Sequence, residues 1–290
     1  MKHGEVHLVV GADGMLGTDL VRLLEDSGLE TAGVDLTEVD ITDYASIEGV
    51  MNQFKPSVVI NTAALTDVDG CESMQQAAFQ VNGGGPANLA RAAAASGAFL
   101  VHLSTDYVFD GRKKEPYVED DQVHPLGVYG RSKAEGEEGV RDVLPKNHCI
   151  VRTQWLFGLH GRNFVESILA LAQKQKVLRV VNDQHGSPTY APDLSAALLT
   201  LIRERCRGTF HVTNSGITTW YAFAARIVKQ SGLDISVEPM SSEELLRPAP
   251  RPLNAALDNA RFVKAAGWAL RPWEEALDDY LKRRTGDARP

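Results

Sequence analysis

Cysteine is scarce in this chain. Cys71, Cys149 and Cys206 are odd in number, far apart and without metal-ligand spacing, which argues for three reduced thiols rather than a disulfide framework or a cysteine-built metal centre. Positive charge is also short. The 30 Lys and Arg stand against 38 Asp and Glu, a formal net charge of −8, which speaks against nucleic acid or an anionic membrane surface as the main partner. A local basic pocket for a phosphorylated ligand is still allowed. No apolar run approaches the roughly 20 residues that a membrane helix needs. Met1-Lys2-His3-Gly4-Glu5 leads straight into a strand pattern with no signal-peptide apolar core, and the chain reads as cytoplasmic. What remains is a composition of 43% hydrophobic and 23% charged residues, that of an ordinary globular protein with a large core.

The patterning alternates strand and helix. Val6-His7-Leu8-Val9-Val10 is the apolar run of a strand buried on both faces. It passes into Gly11-Ala12-Asp13-Gly14-Met15-Leu16-Gly17 and then a helical pattern through Leu20, Val21, Leu23 and Leu24. Strand, glycine turn and helix form the context in which a glycine fingerprint binds a dinucleotide. Gly11 permits the turn, Gly14 a close approach of pyrophosphate, and Gly17 close packing of the helix on the sheet. The helix N-terminus then faces the phosphates. The next strand pattern ends in Asp35, placed to accept hydrogen bonds from an adenosine ribose. That carboxylate favours NADH while leaving NADPH open. Asp40-Ile41 is expected to open a helix and border the adenine.

Ser57 to Asn61 is a third strand, ending in the small residues Thr62-Ala63-Ala64, past which a cofactor can run. A helix is expected from about Cys71, with a kink or break near Gly83-Gly84-Gly85-Pro86. Asn82 is open between a structural or proton-relay role and a plain helix surface. Phe99 to Leu103 is a fourth strand, delivering Ser104-Thr105-Asp106-Tyr107 to the carboxyl edge of the sheet, where ligands bind in open α/β folds. Tyr129 and Lys133 follow, four apart on the next helix and so on one face of it. A free tyrosine titrates near pH 10, and a neighbouring ammonium lowers that value toward a usable range. Cys149 to Arg152 is a fifth strand, followed by a helix over Phe164 to Ala172. After Val180 come a polar loop over Asp183–Thr189, a short strand at Phe210-His211-Val212, and further helices near Leu194–Ile202, Trp220–Val228, Asn259–Ala266 and Trp273–Arg284.

The organisation read from this is a Rossmann-type doubly wound parallel sheet with a smaller, interwoven C-terminal lobe. A nucleotide-binding domain is expected over about residues 1–154. It should also receive helices from about 191–206 and 219–231, with the substrate lobe in the rest of 155–290.

Taken together these residues resemble the extended short-chain dehydrogenase/reductases, and within them the dTDP-4-dehydrorhamnose reductase family. The resemblance rests on Gly11-x-x-Gly14-Met15-Leu16-Gly17, Asn61-Thr62-Ala63-Ala64, Ser104-Thr105-Asp106-Tyr107-Val108-Phe109-Asp110-Gly111, and Val128-Tyr129-Gly130-Arg131-Ser132-Lys133 with Gly136-Glu137. It continues through Asp183-Gln184-His185-Gly186-Ser187-Pro188-Thr189, Trp220-Tyr221 and Arg251-Pro252-Leu253-Asn254. It implies an oxidoreductase that uses NADH or NADPH to reduce the C4 ketone of dTDP-4-dehydro-6-deoxy-L-mannose to dTDP-L-rhamnose. Tyr129 would protonate the oxygen, Lys133 would support it, and Thr105 would hydrogen-bond it.

The resemblance further implies that Gly11, Asp13, Gly14, Met15, Leu16, Gly17, Asp35, Asp40, Ile41, Ala63 and Ala64 hold the cofactor, together with Tyr129 and Lys133. Thr66, Thr105, Asp106, Trp155, Asn163, Arg251 and Asn254 are its implied substrate contacts. From the residues alone Trp155 and Trp220 stay open between sugar packing and core, and Arg251 and Asn254 between diphosphate and support. The Asp183–Thr189 loop is open between pocket wall, lid and interface. Relatives can dimerise, in some cases around Mg²⁺, but no ligand set can be assigned here. Asp106 is followed by Tyr107 with no glutamate, which argues against dehydratase chemistry. The remaining alternatives are a 4-epimerase, another sugar-nucleotide 4-ketoreductase, and a non-catalytic dinucleotide-binding subunit resembling the regulatory subunit of methionine adenosyltransferase.

Overall fold

The computed structural model describes residues 5–286, so the opening Met1-Lys2-His3-Gly4 lies outside the described residues. The first half alternates β1 (His7–Val10), α1 (Met15–Asp26), β2 (Thr31–Val34), α2 (Tyr44–Phe54) and β3 (Val58–Asn61). Helices α3 (Val68–Ser73), α4 (Gln75–Ala78) and α5 (Gly85–Ser96) lead to β4 (Phe99–Thr105), then α6 (Val128–Val143) and β5 (His148–Thr153). The chain leaves this layer through β6 (Leu156–Phe157), α7 (Phe164–Ala172), β7 (Val177–Val181), β8 (His185–Gly186) and β9 (Thr189–Tyr190). It returns along α8 (Ala191–Arg203) to β10 (Gly208–His211), and departs again through β11 (Thr218–Thr219), α9 (Trp220–Gln230) and β12 (Ser236–Met240). Helices α10 (Ala260–Ala266) and α11 (Trp273–Gly286) follow.

The main sheet is six-stranded and parallel, in the order β10-β5-β4-β3-β1-β2. Every residue of β1, β3 and β4 is buried, as expected of parallel strands covered on both faces. One face packs on α1 and α8 through Leu16, Leu20, Leu24, Leu194 and Leu198. The other packs on α2 and α5 through Ile47, Val50, Leu89 and Ala93. Strands β1 and β3 are neighbours although β2 lies between them in sequence. The winding therefore reverses at that point, opening a crevice beyond the carboxyl ends of β1 and β3. The expected doubly wound α/β fold is the one formed, and no helix among the described residues is long and apolar enough to cross a membrane.

Several local expectations change. Asp40 and Ile41 do not open a helix: Asp40 Oδ1 accepts the Thr42 N–H at 2.8 Å in a turn, and Asp43 caps α2 by accepting the Ala45 N–H. The irregularity expected as a kink or break at Gly83–Pro86 takes the form of a π-helical turn over Phe79–Gly84 that runs without interruption into α5. Gly85 donates to Gln80 O, one residue further back than in an α-helix. The shifted register carries the chain past Pro86, which has no N–H to give. The real interruption lies earlier, at Met74.

Strand β10 is an edge strand of the main sheet, and α8 packs with it on the sheet face. The stretch near 219–231, expected with the first domain, packs instead with α7 and α11 in a separate core around Phe157, Phe223, Ile227, Trp273 and Leu277. Its apolar stripe faces aromatic residues of the second lobe, and that burial decides its place.

Candidate active site

A cavity of about 960 Å³ lies at the carboxyl ends of β1, β3 and β4, bounded on its far side by the second lobe. All eleven expected cofactor residues apart from the Tyr–Lys pair line it: Gly11, Asp13, Gly14, Met15, Leu16, Gly17, Asp35, Asp40, Ile41, Ala63 and Ala64. Gly11 has φ +84°, and a Cβ there would stand 2.7 Å from the Ala63 N. A Cβ on Gly17 would stand 2.0 Å from the Gly11 O, so the turn and helix close only with glycine at both. Helix α1 starts after Gly14 with no side-chain cap and no acidic residue in its first turn. Its free N–H groups therefore suit a pyrophosphate at the cavity.

At the far end, Asp35 accepts the N–H of Asp13 at 2.9 Å and of Leu36 at 2.7 Å. Glu38 accepts the Asp35 N–H at 3.0 Å, and hydrogen bonds from Thr37 and then Asp35 hold its carboxyl below the usual range. The residues present thus fit a dinucleotide, with the Asp35 carboxylate beside the expected ribose position.

Strand β4 ends at Thr105, and the first turn of α6 presents Tyr129, with Lys133 one turn on. Two clamps fix that turn. Glu72 Oε1 accepts the Val128 N–H at 2.8 Å, supplying the negative cap that Gly127 cannot. Asn82, buried, holds both the N–H and the O of Leu65 and donates to Ser132 Oγ at 3.2 Å. Its role is therefore a structural tie between α6 and the loop following β3.

Lys133 is 2% exposed, and its Nζ donates to Leu103 O at 2.6 Å. Burial pulls its pKa down to about 8, against the opposing charge of Glu137. Desolvation pushes the Tyr129 phenol up, opposed by its hydrogen bond with the Thr105 side chain. Desolvation is the largest influence on the phenol. Tyr129 is consequently a protonated phenol at neutral pH, which is the state a proton donor requires. Its ring meets Tyr107 edge-on with centroids 5.4 Å apart.

Behind Lys133 sits an ion pair that sequence reasoning left without a role. Glu137, wholly buried, accepts from Arg152 Nε at 2.8 Å and Nη2 at 2.6 Å, and from Ser104 Oγ at 2.6 Å. Only the Gly136-Glu137 pair closing the Tyr–Lys motif hinted at it.

Of the expected substrate contacts, Thr66, Thr105, Asp106 and Trp155 line the cavity. Asn163, Arg251 and Asn254 are not among its lining residues. Asn163 caps α7 through the Glu166 N–H and donates to Gly158 O at 2.8 Å. Arg251 pairs with both oxygens of Asp69, at 2.7 and 3.0 Å. Asn254 donates to the carbonyls of Lys113 and Lys114. Each has its polar group engaged in holding backbone or a helix in place.

Trp220 does line the cavity, stacked on Trp155. The Asp183–Thr189 loop is partly strand, with Gly186 paired to Thr218, and a Cβ on Gly186 would stand 2.7 Å from the Trp155 ring. The loop therefore backs Trp155 rather than forming the cavity wall itself. Sequence reasoning also missed Arg162, exposed beside Gly161 on the cavity rim with no ion-pair partner among the described residues. Gly161, at φ +81°, was the available signal.

The family model described as the RmlD substrate binding domain matches residues 6–285. The chain belongs to the RmlD substrate binding domain family. Among RmlD-like relatives, the spore coat polysaccharide biosynthesis protein SpsK of Bacillus subtilis is 42% identical, over 96% of this chain and 97% of its own. The dTDP-4-dehydrorhamnose reductase of Streptomyces griseus is likewise 42% identical, over 97% of this chain and 94% of its own. The solved dTDP-4-dehydrorhamnose reductase of Bacillus anthracis in complex with NADP is 34% identical with a TM-score of 0.93, covering 97% of this chain and 100% of that one. The protein is an RmlD-family, NAD(P)-dependent oxidoreductase.

Proposed function

We propose that this protein reduces the C4 ketone of dTDP-4-dehydro-6-deoxy-L-mannose to dTDP-L-rhamnose. The observation that carries this reading is that Thr105, Tyr129 and Lys133 line one cavity with the uncapped N-terminus of α1. A nicotinamide cofactor, when bound, supplies the hydride. The glycine turn and α1 N-terminus would hold its pyrophosphate, Asp35 its ribose, and Ala63 and Ala64 the passage toward the nicotinamide. The same carboxylate favours NADH over NADPH.

The chain's own residues handle the oxygen. Tyr129, half-buried on the cavity wall and kept protonated by desolvation of its phenol, gives its proton to the ketone oxygen as that oxygen becomes an alkoxide. Thr105 hydrogen-bonds the same oxygen. Lys133, charged below about pH 8, offsets the negative charge left on the phenol. Trp155, Thr66 and Asp106 form the sugar-facing wall. This divides the labour between a dinucleotide domain over residues 1–154, completed by later segments, and a substrate lobe drawn from 155–290.

A second reading, reduction of a differently configured dTDP-4-keto-6-deoxy sugar, is favoured by the 39% identity, over 93% of this chain, to the dTDP-4-keto-6-deoxy-D-glucose reductase of Streptomyces niveus. One assay separates the two. Enzymatically made dTDP-4-keto-L-rhamnose and related hexuloses are offered with NADH and NADPH in turn, and product configuration is read by NMR. Turnover of dTDP-4-keto-L-rhamnose to the L-rhamnose product is expected; preference for another hexulose selects the second reading.

A further inference from the structure

Thr105 has a hydrogen-bonding conflict. A hydroxyl owns one proton and two acceptor sites. Thr105 Oγ1 accepts the Tyr107 N–H at 3.2 Å and donates its proton to Asp106 Oδ1 at 2.9 Å. With that proton committed, Thr105 has none for a ketone oxygen becoming an alkoxide. The other Asp106 oxygen, Oδ2, is buried with no hydrogen-bond partner, and the residue is only 1% exposed. A buried, unpartnered carboxylate oxygen is costly, whereas a neutral acid in the same place is much less so.

We propose that Asp106 is a positioning residue that sets the direction of the Thr105 hydroxyl. As the acid, it donates from Oδ1 to Thr105 Oγ1 and frees the Thr105 proton for the reacting oxygen. As the carboxylate, it draws that proton away. In the active state Asp106 keeps its proton throughout the cycle, and the direction of the hydrogen bond reverses only when the carboxyl ionises. The proposal deepens the ketoreductase reading and rests on it.

The surroundings agree. Burial pushes the Asp106 carboxyl up to about 7, with the Thr105 hydrogen bond and backbone N–H groups opposing. The titratable neighbours are Tyr107 alongside, Tyr129 and Lys133 of α6, and Cys71 of α3, with Arg247 and Arg251 beyond Tyr107. None of these charges outweighs burial at Asp106.

Two measurements on the whole protein test this. Infrared difference spectra of wild type against Asp106→Asn, over about pH 5 to 9, read the carboxyl directly and need no substrate. A protonated carboxyl that ionises near neutrality is expected, with its midpoint raised in Thr105→Val, which lacks the bond favouring the charged form. A carboxylate ionised throughout, or a midpoint indifferent to Thr105→Val, overturns the proposal.

In the second, kcat is followed against pH at saturating 4-keto sugar. Wild-type kcat is expected to fall about tenfold per pH unit above the carboxyl midpoint. Asp106→Asn, whose amide N–H can donate to Thr105 at any pH, should lose the carboxyl limb from its pH profile whatever its absolute kcat, leaving only the limb at which Lys133 titrates. Thr105→Ser should keep the wild-type limb, and Thr105→Val should lose on the order of 10²–10³ in kcat. An Asp106→Asn profile with an unchanged limb overturns the proposal. If wild type reduces no dTDP-4-keto sugar, the ketoreductase reading is what fails. The infrared result then decides the Thr105–Asp106 pairing by itself.

Discussion

Trp155 and Trp220 stack with ring centroids 3.7 Å apart and planes 18° from parallel, both facing the cavity. Trp155 holds φ +47°, a left-handed conformation that a bulky residue adopts only when its surroundings enforce it. Gly186 behind the ring and Trp220 in front supply that enforcement. A stacked pair of this kind is worth about 0.5–1.5 kcal/mol beyond its buried area. Trp220→Ala should therefore raise KM for the sugar nucleotide by roughly 2- to 10-fold with a smaller effect on kcat. Adding dTDP to wild type should change tryptophan fluorescence, and the variant should show a reduced change. An unaltered KM would place the pair in the lobe's framework alone.

Tyr129 is the residue whose loss should be felt in chemistry and little elsewhere. Tyr129→Phe keeps the ring beside Tyr107 and removes the hydroxyl that carries the proton. Turnover should fall by on the order of 10²–10⁴, with cofactor affinity, read by nicotinamide fluorescence, near wild type. Reduction at close to the wild-type rate would remove Tyr129 from the mechanism.

Glu137 and Arg152 are both almost wholly buried, and their bidentate pairing lies directly behind the Ser104–Thr105 strand end. Removing one charge strands the other in a dry site, a loss of roughly 3–5 kcal/mol. Glu137→Gln should lower the thermal midpoint markedly. It should also move the Lys133 pKa further down, since the Glu137 charge is what opposes burial there. The sign follows: Lys133 carries its charge below its folded pKa, so a high-pH loss of activity should begin at lower pH in the variant. Thermal denaturation and a pH–rate profile read the two effects separately.

How much of this was legible in advance depends on whether a feature is local. The glycine turn, the Ser104–Thr105 strand end and the Tyr129–Lys133 spacing are set by a few consecutive residues, and all reach the cavity. β10 offers only Gly208–His211 as a signal, and its place at the sheet edge is decided by pairing with β5 from far back in the chain. The π-turn was hidden because glycines near Pro86 read as breakers. A Cβ at Gly85 would stand 2.6 Å from the Ile41 side chain, so close packing is what requires glycine there. Arg251 stayed open in sequence between diphosphate and support, because its partner Asp69 lies on a distant helix. Long-range partners decide which charged side chains have any charge to spare for a ligand.

Coenzyme choice follows from the end of β2. Asp35 lines the cavity and Glu38 accepts its backbone N–H, and negative charge there disfavours a 2′-phosphate. kcat/KM should favour NADH. The double change Asp35→Asn with Glu38→Gln should shift the ratio toward NADPH by several-fold, the shift shrinking as salt rises. Equal use of both coenzymes by wild type, unchanged in the double variant, would show that another contact governs the choice.

Arg162 is the cation best placed to meet an anionic ligand from the second-lobe side. The other cation lining the cavity, Lys133, is buried and bonded to Leu103 O, while Arg162 is exposed on the rim. Guanidinium suits phosphate because its planar fork can donate two parallel hydrogen bonds. An exposed contact of this kind is weakened by salt, so its signature is an ionic-strength dependence. Arg162→Ala should raise KM for the dTDP-sugar about tenfold at low ionic strength and by less at high salt. kcat should stay close to wild type, because nothing at the ketone oxygen is altered. Titrations with dTDP and with the cofactor separate the two anionic ligands: weakened dTDP binding alone assigns Arg162 to the sugar nucleotide, and weakened cofactor binding alone assigns it to the dinucleotide.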